Sequence, residues 1–295
     1  MKPRDYPAAY LASDATAVRL ERTYFRLLRA ELMLFLAASS VGILGAFPRI
    51  GLTRQLAIAA VIFVVGAFSI LWRMRKRRFE QKWFQYRAVA ESIKTATWRY
   101  MMEAPPFDTE TNVEAKFLAT LDAIQLDRLG MALPEPRDQI TDFMREVRKH
   151  SFEESKDAYF RERLVDQETW YAKKSAWNRQ LATRWSTFTL ATQALAIALA
   201  LLRVFYPMIP LSPVSFLMTV ASSMLAWTQA RRHEDLVEPY AVAAQELREL
   251  RSLLPKLTGV ASFRKFVSDV EESISREHTK WLARRSIEAL DINSS

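Results

Sequence analysis

Four charge-poor apolar stretches constrain this chain more than any other feature. They are Leu32–Pro48, Gln55–Trp72, Trp185–Leu202 (with apolar character continuing to Phe205) and Leu211–Ala230, each bracketed by Arg or Lys. At about 1.5 Å of rise per residue, such a run comes close to crossing a hydrocarbon core of roughly 30 Å. Lipid offers the backbone no hydrogen-bond partners, so these stretches predict four membrane helices, paired as two helix–turn–helix hairpins. The fold class expected is all-α, an integral membrane protein with long cytosolic helices.

Charge distribution supports that expectation. The chain of 295 residues carries a net charge of +9, and its mean hydropathy of −0.09 averages apolar spans with strongly charged helical segments. Around the first hairpin, Arg19, Arg22, Arg26 and Arg29 precede and Arg73, Arg75, Lys76, Arg77, Arg78 and Lys82 follow, while the turn holds only Arg49 and Arg54. Around the second, Lys173, Lys174, Arg179, Arg184, Arg231 and Arg232 flank a turn with Arg203 alone. Basic residues favour the cytosolic side, so both termini and the middle of the chain are expected in the cytosol of a bacterium, with the spans in its inner (cytoplasmic) membrane. Topology accounts for the basic excess without a nucleic-acid partner. Arg73, Arg77, Arg78, Arg184, Arg231 and Arg232 read as anchors at the membrane interface. Met1–Leu28 has no apolar core of the kind a cleavable signal needs, so the first hairpin is expected to serve as its own insertion signal.

The chain also repeats itself. One constant shift carries Arg77, Arg78, Phe79 and Glu80 onto Arg231, Arg232, His233 and Glu234, Tyr86 onto Tyr240, Ala90 onto Ala244 and Ile93 onto Leu247. Two units follow, residues 1–107 and 151–295, joined by a cytosolic helical linker over 108–150. Both hairpins then point the same way, a parallel duplication rather than the inverted one on which many carriers rely. After each hairpin a helix leaves with a narrow apolar stripe, Trp83, Tyr86, Ala90 and Ile93 in one and Val237, Tyr240, Ala244 and Leu247 in the other. Such a coiled-coil-like seam fits packing within one chain or an oligomeric stalk. In the linker, Pro105 and Pro106 stop the first outgoing helix, Asn112–Leu129 presents Phe117, Leu121 and Ile124 on one face, and Asp138–Lys149 reads as a short amphipathic helix. Ser151 is placed to cap a long helix running into the third span, and Ser262–Arg285 forms a last helix with Val267, Val270, Ile274 and Trp281 on one side.

Catalytic signatures are missing. There is no cysteine, and the six glycines form neither a phosphate loop nor a dinucleotide fingerprint. His150, His233 and His278 are scattered, so no metal site, cofactor or catalytic residue is expected, and His233 reads as solvated or interfacial. Glu153 with Glu154 and Glu271 with Glu272 read as solvated helix faces. The expectation is not an enzyme. Uncharged polar residues within the spans carry more information. Ser186, Thr189 and Gln193 share one face of the third span, and Ser215, Thr219 and Ser222 share one face of the fourth. They fit tight interhelical packing or, alternatively, the lining of a pore built from several copies.

Several segments resemble a known family. Tyr159 to Arg163, then Asp166, Gln167, Trp170 and Tyr171, followed by Lys174 and Asn178, are similar to the incoming helix of the SLATT family. Tyr86 through Glu91, Lys94, Trp98 and Tyr100, then Pro105, Pro106 and Phe107, resemble the outgoing helix of a sister subfamily, and Val270 to Glu272 with Glu277 to Trp281 extend the likeness. The resemblance implies a tandem of two such units. It implies a membrane effector of bacterial conflict or antiphage systems that forms pores or disturbs the inner membrane. It also implies, as partner, a nucleotide second messenger or a cytosolic sensor protein. No ligand-binding residues carry over.

The leading expectation is therefore a homo-oligomeric pore or ion channel, gated through cytosolic helices in which Glu91, Lys94, Trp98, Asp166, Gln167, Trp170, Tyr171 and Tyr240 pack or gate. The alternative is a non-conducting, membrane-anchored scaffold that binds a cytosolic partner.

Overall fold

A computed structural model describes residues 1–45, 51–108, 111–129, 139–208 and 212–275. Among these the chain is helical throughout its regular structure, with no strand. After a 3-10 turn at Pro3–Asp5 come α1 (Ala8–Gly45), α2 (Thr53–Arg77), α3 (Phe79–Met101), α4 (Val113–Leu129), α5 (Asp142–Arg148), α6 (Phe152–Tyr159), α7 (Asp166–Phe205), α8 (Ser212–Arg231) and α9 (His233–Leu253). A further helix, α10, covers residues 260–275. A π-helical segment, Phe160–Val165, joins α6 to α7 without a break. Trp281 of the expected last helix lies outside the described residues.

Local signals account for the helix ends. The Ser151 hydroxyl accepts from the Glu154 amide while the Glu154 carboxylate reaches back to the Ser151 amide, a reciprocal cap that starts α6. The Ser151 amide and the Ser151 hydroxyl both donate to the Glu154 carboxylate, at 2.9 and 2.8 Å, and hold it below its ordinary range. Thr141, which accepts from the Met144 amide, begins α5 later than the sequence pattern suggested. Its hydroxyl also donates to the Asp5 carbonyl, so the cap ties the linker to the N-terminal turn. α3 stops at Met101, ahead of Pro105 and Pro106.

The chain divides into two compact units, and the division cuts across the sequence repeat. One unit comprises Met1–Leu20, Glu80–Lys174 and Glu238 onward; the other comprises Glu21–Phe79 and Ser175–Val237.

The first unit is organised around α3. The expected stripe is present, with Ala90 and Ile93 sealed from solvent, yet α3 is covered far more widely than a stripe requires. From Ala88 to Met101 every residue except Ser92, Lys94 and Arg99 is buried. Four other segments close around it. The Trp98 indole N–H donates to the Tyr6 hydroxyl at 3.2 Å, and the Trp98 ring meets Tyr159 edge-on at 5.8 Å. Arg99 donates to the Ser268 carbonyl at 3.0 Å, and Tyr100 packs on Phe117 with ring centroids 4.7 Å apart. Each large side chain so enclosed contributes about 1.5–3 kcal/mol of apolar burial.

The second unit has an inverted pattern. Its buried apolar positions include the small residues Ala67, Ala196 and Ala221, while Ile58, Val61, Ile62, Phe68, Phe188 and Ile197 are exposed. A side chain at Gly66 would lie 3.3 Å from the Leu34 Cδ1 atom, so α1 and α2 approach closely there. Small residues inside with large apolar residues outside is the packing a helical unit adopts in lipid, where burying bulk yields no hydrophobic gain. Among the described residues, three helical stretches are long and apolar enough to cross a membrane: Ala8–Gly45, Thr53–Met101 and Phe152–Phe205. The fourth expected stretch is helical over Ser212–Arg231 but is not among them. Its Ser, Thr and Gln residues dilute the apolar character that length alone would supply.

The repeat reappears in the backbone. Arg78 and Arg232, equivalent under the sequence shift, both adopt left-handed conformations, with φ of 49° and 53°. Each separates an apolar helix from the helix that follows it, α2 from α3 and α8 from α9.

Candidate functional site: a sealed ion pair and the polar faces of α7 and α8

Arg163 lies within the π-helical segment, four residues after the buried Tyr159, and shares its inward face. There Arg163 forms a bidentate pair with Glu271 of α10, Nε to Oε1 at 2.7 Å and Nη2 to Oε2 at 2.6 Å, with side-chain exposures of 1% and 0%. The Tyr159 hydroxyl donates to the same Oε1 at 3.0 Å. Nη1 of Arg163, also buried, has no hydrogen-bond partner among the described residues. Burial works against the guanidinium charge, but Glu271 outweighs it and holds Arg163 above its ordinary pKa. Burial and the nearby Glu271 charge push the Tyr159 phenol well above its usual value. Glu271 is therefore the opposite of the solvated acid expected from sequence. Its neighbour Glu272 does face solvent, because adjacent residues on a helix point about 100° apart. The signal lay in its spacing from Val267, one turn earlier on the apolar face.

A second polar set lies along α3. Arg87 reaches Asp14 of α1 at 3.0 Å and Glu91 at 2.6 Å. Lys94, half-buried, is held below its ordinary pKa by desolvation and by the Arg163 charge. Of the residues expected to pack or gate, Trp170 and Tyr171 of α7 meet Tyr240 of α9, with centroid distances of 5.6 and 5.7 Å. Gln167 is buried and donates to Asp166, which is itself exposed. Glu168, absent from the expectation, joins α7 to α9 through Arg248 at 3.0 Å and Arg251 at 2.7 Å. Glu91, Lys94 and Trp98 lie on α3, and the Asp166 charge from the start of α7 reaches Lys94.

In the second unit, Ser186, Ser215 and Ser222 are exposed, while Thr189, Gln193 and Thr219 are half-buried. The Thr189 hydroxyl donates to the Trp185 carbonyl at 2.9 Å and that of Thr219 to the Ser215 carbonyl at 3.0 Å. Each thus satisfies its donor within its own helix. His233, expected to be solvated or interfacial, is buried, with Nδ1 2.7 Å from Asn178 Oδ1 and its ring edge-on to Trp177 at 5.5 Å. Burial, then the Arg231 charge, lowers its pKa. Among the expected anchors, Arg73, Arg77, Arg78 and Arg184 are exposed. Arg232 pairs with Asp235 at 2.7 Å, and Arg231 lies half-buried against aromatic rings.

Comparison with protein families matches residues 7–156 to SMODS and SLOG-associating 2TM effector domain 3, and residues 159–281 to SMODS and SLOG-associating 2TM effector domain 1. The chain belongs to the SLATT family. It holds two SLATT domains in tandem, and the first match alone covers half the chain. No curated protein and no solved structure matches. SLATT domains are described as membrane effector domains of two transmembrane helices, a description that names no catalytic activity. Arg163, Trp170 and Tyr171 fall in the second SLATT domain, as does Glu271, so the sealed pair is internal to that match.

Proposed function

We propose that this tandem SLATT protein is an inner-membrane effector of a bacterial conflict system, assembling from identical copies into a pore whose opening is set by its cytosolic helices. In this reading all four apolar helices span the bilayer as two hairpins with both termini cytosolic, and α8 tolerates its polar content because it faces other helices or water. The observation that carries the proposal is the exposure of Ser186, Ser215 and Ser222 on a single chain, among helices whose outward positions are otherwise largely apolar. A hydroxyl-bearing face left uncovered by its own chain is suited to a water-filled lumen between copies. α7 bears both Trp170 and Gln193, so a displacement of its cytosolic end has a continuous helix through which to act. A nucleotide second messenger or a sensor protein would supply the trigger.

The closed hydroxyl bonds of Thr189 and Thr219 favour a second reading, a non-conducting scaffold, because such groups tolerate lipid without a lumen. Reconstitution of the purified full chain into liposomes, with dye and potassium flux followed before and after addition of candidate cyclic nucleotides, separates the two. Flux from particles of one defined stoichiometry supports the pore. Sealed vesicles containing intact oligomers under every trigger leave the scaffold.

A further inference from the structure

Three helices of the second unit converge on the Trp227 indole. Phe25 of α1 stands edge-on to it at 5.9 Å, and Trp185 of α7 lies at 6.5 Å. Arg231, one turn beyond Trp227 on α8, places its Cζ 3.7 Å from the Phe25 centroid and 4.9 Å from that of Trp227. Arg29, one turn beyond Phe25 on α1, places its Cζ 5.5 Å from the same Trp227 ring. Two guanidinium groups therefore share one indole. The rings hold them by cation–π attraction and fix their positions, but do nothing to neutralise them. Glu21 supplies one carboxylate, 4.0 Å from Arg231, and among the described residues no carboxylate pairs with Arg29.

The place of this cluster along the chain narrows what would neutralise it. Arg29 stands just before the first apolar stretch and Arg231 just after the fourth, at the level where headgroups meet hydrocarbon. One turn beyond Arg29 in the apolar direction, on the same face of α1, is the exposed side chain of Met33, at 60%. An anion with an attached hydrocarbon chain matches both halves of this surface, whereas a free phosphate matches only one.

We propose that Arg29 and Arg231, positioned around Trp227, bind the phosphate of an anionic phospholipid whose acyl chains run past Met33. The inference rests on the reading of these helices as membrane spans.

The test uses the full chain in nanodiscs of mixed phosphatidylglycerol and phosphatidylcholine, with co-purifying lipid counted by native mass spectrometry. The wild type is expected to retain phosphatidylglycerol in a fixed ratio to protein. Arg29→Gln, an exposed change that spares folding, should weaken retention roughly fivefold or more, and Arg29→Gln with Arg231→Gln should abolish the preference. Arg22→Gln with Arg26→Gln removes two exposed cations from the same helix and should leave retention intact. Unchanged retention in Arg29→Gln, or an equal loss in the Arg22 and Arg26 control, overturns the site. Displacement of the lipid by inorganic phosphate at equal concentration would assign the cluster to a free anion and overturn the lipid. Failure of the wild type to enter nanodiscs would instead overturn the membrane reading beneath it.

Discussion

Arg163 and Glu271 meet through two parallel hydrogen bonds of 2.7 and 2.6 Å, in a place neither side chain shares with water. Removing one partner of such a pair strands a buried charge. Glu271→Gln is therefore expected to destabilise the first unit by about 3–5 kcal/mol, read as a shift in the denaturant midpoint of the detergent-solubilised protein. Replacing both, as Arg163→Met with Glu271→Leu, should recover most of the loss. If the double variant is no more stable than the single, the penalty does not come from the stranded charge.

Lys94 predicts a dependence on pH. Desolvation and the Arg163 charge lower its folded-state pKa below the ordinary 10.5, so the unfolded chain binds more protons between those two values. Stability arising from this group should rise with pH across that window and level off above 10.5. Thermal midpoints measured from neutral to alkaline pH would show the rise, and Lys94→Met should flatten it while raising the midpoint at pH 7. The Tyr159 phenol opposes it at the alkaline end: its raised pKa means the folded state keeps a proton that the unfolded state loses, so stability falls above about pH 10.

For the proposed pore, Gln193→Leu and Ser222→Ala should leave oligomer size unchanged and alter single-channel conductance by about twofold or more in planar bilayers. Thr189→Val, which removes a hydroxyl already closed on the Trp185 carbonyl, should change conductance less. Wild-type conductance in all three variants would place these faces away from the ion path.

Left-handed backbone at Arg78 is costly for any residue with a Cβ and nearly free for glycine. Arg78→Gly is thus expected to stabilise the protein by up to about 1 kcal/mol, measured as a rise in thermal midpoint. Arg232→Gly should gain less, because it also gives up the bond to Asp235. A Val at either position should lower the midpoint.

The sequence conveyed what its own periodicity encodes. The apolar helices, the Ser151 cap, the Phe117 and Leu121 face and the stripe through Ala90 and Ile93 are all local patterns, and each is present. What periodicity cannot convey is which distant segment covers the other side. α3 reads as a one-faced helix, yet Tyr6, Tyr159 and Phe117 close around Trp98 and Tyr100 from positions far along the chain. Glu271 reads as half of an acidic pair on a solvated helix, because only the fold brings Arg163 to it. The π-helical segment that holds Arg163 carries no mark in Phe160–Val165 that composition would reveal. His233 misled for the same reason, since Asn178 and Trp177 lie on another helix.

The matched left-handed turns at Arg78 and Arg232 bear on what the two SLATT domains have in common. The residue that follows differs, Phe79 in one half and His233 in the other, and the two halves match different SLATT domains. The same left-handed backbone nevertheless stands between an apolar helix and its successor in both. What the domains share at this point is a change of direction written into the backbone, which holds whichever side chain comes next.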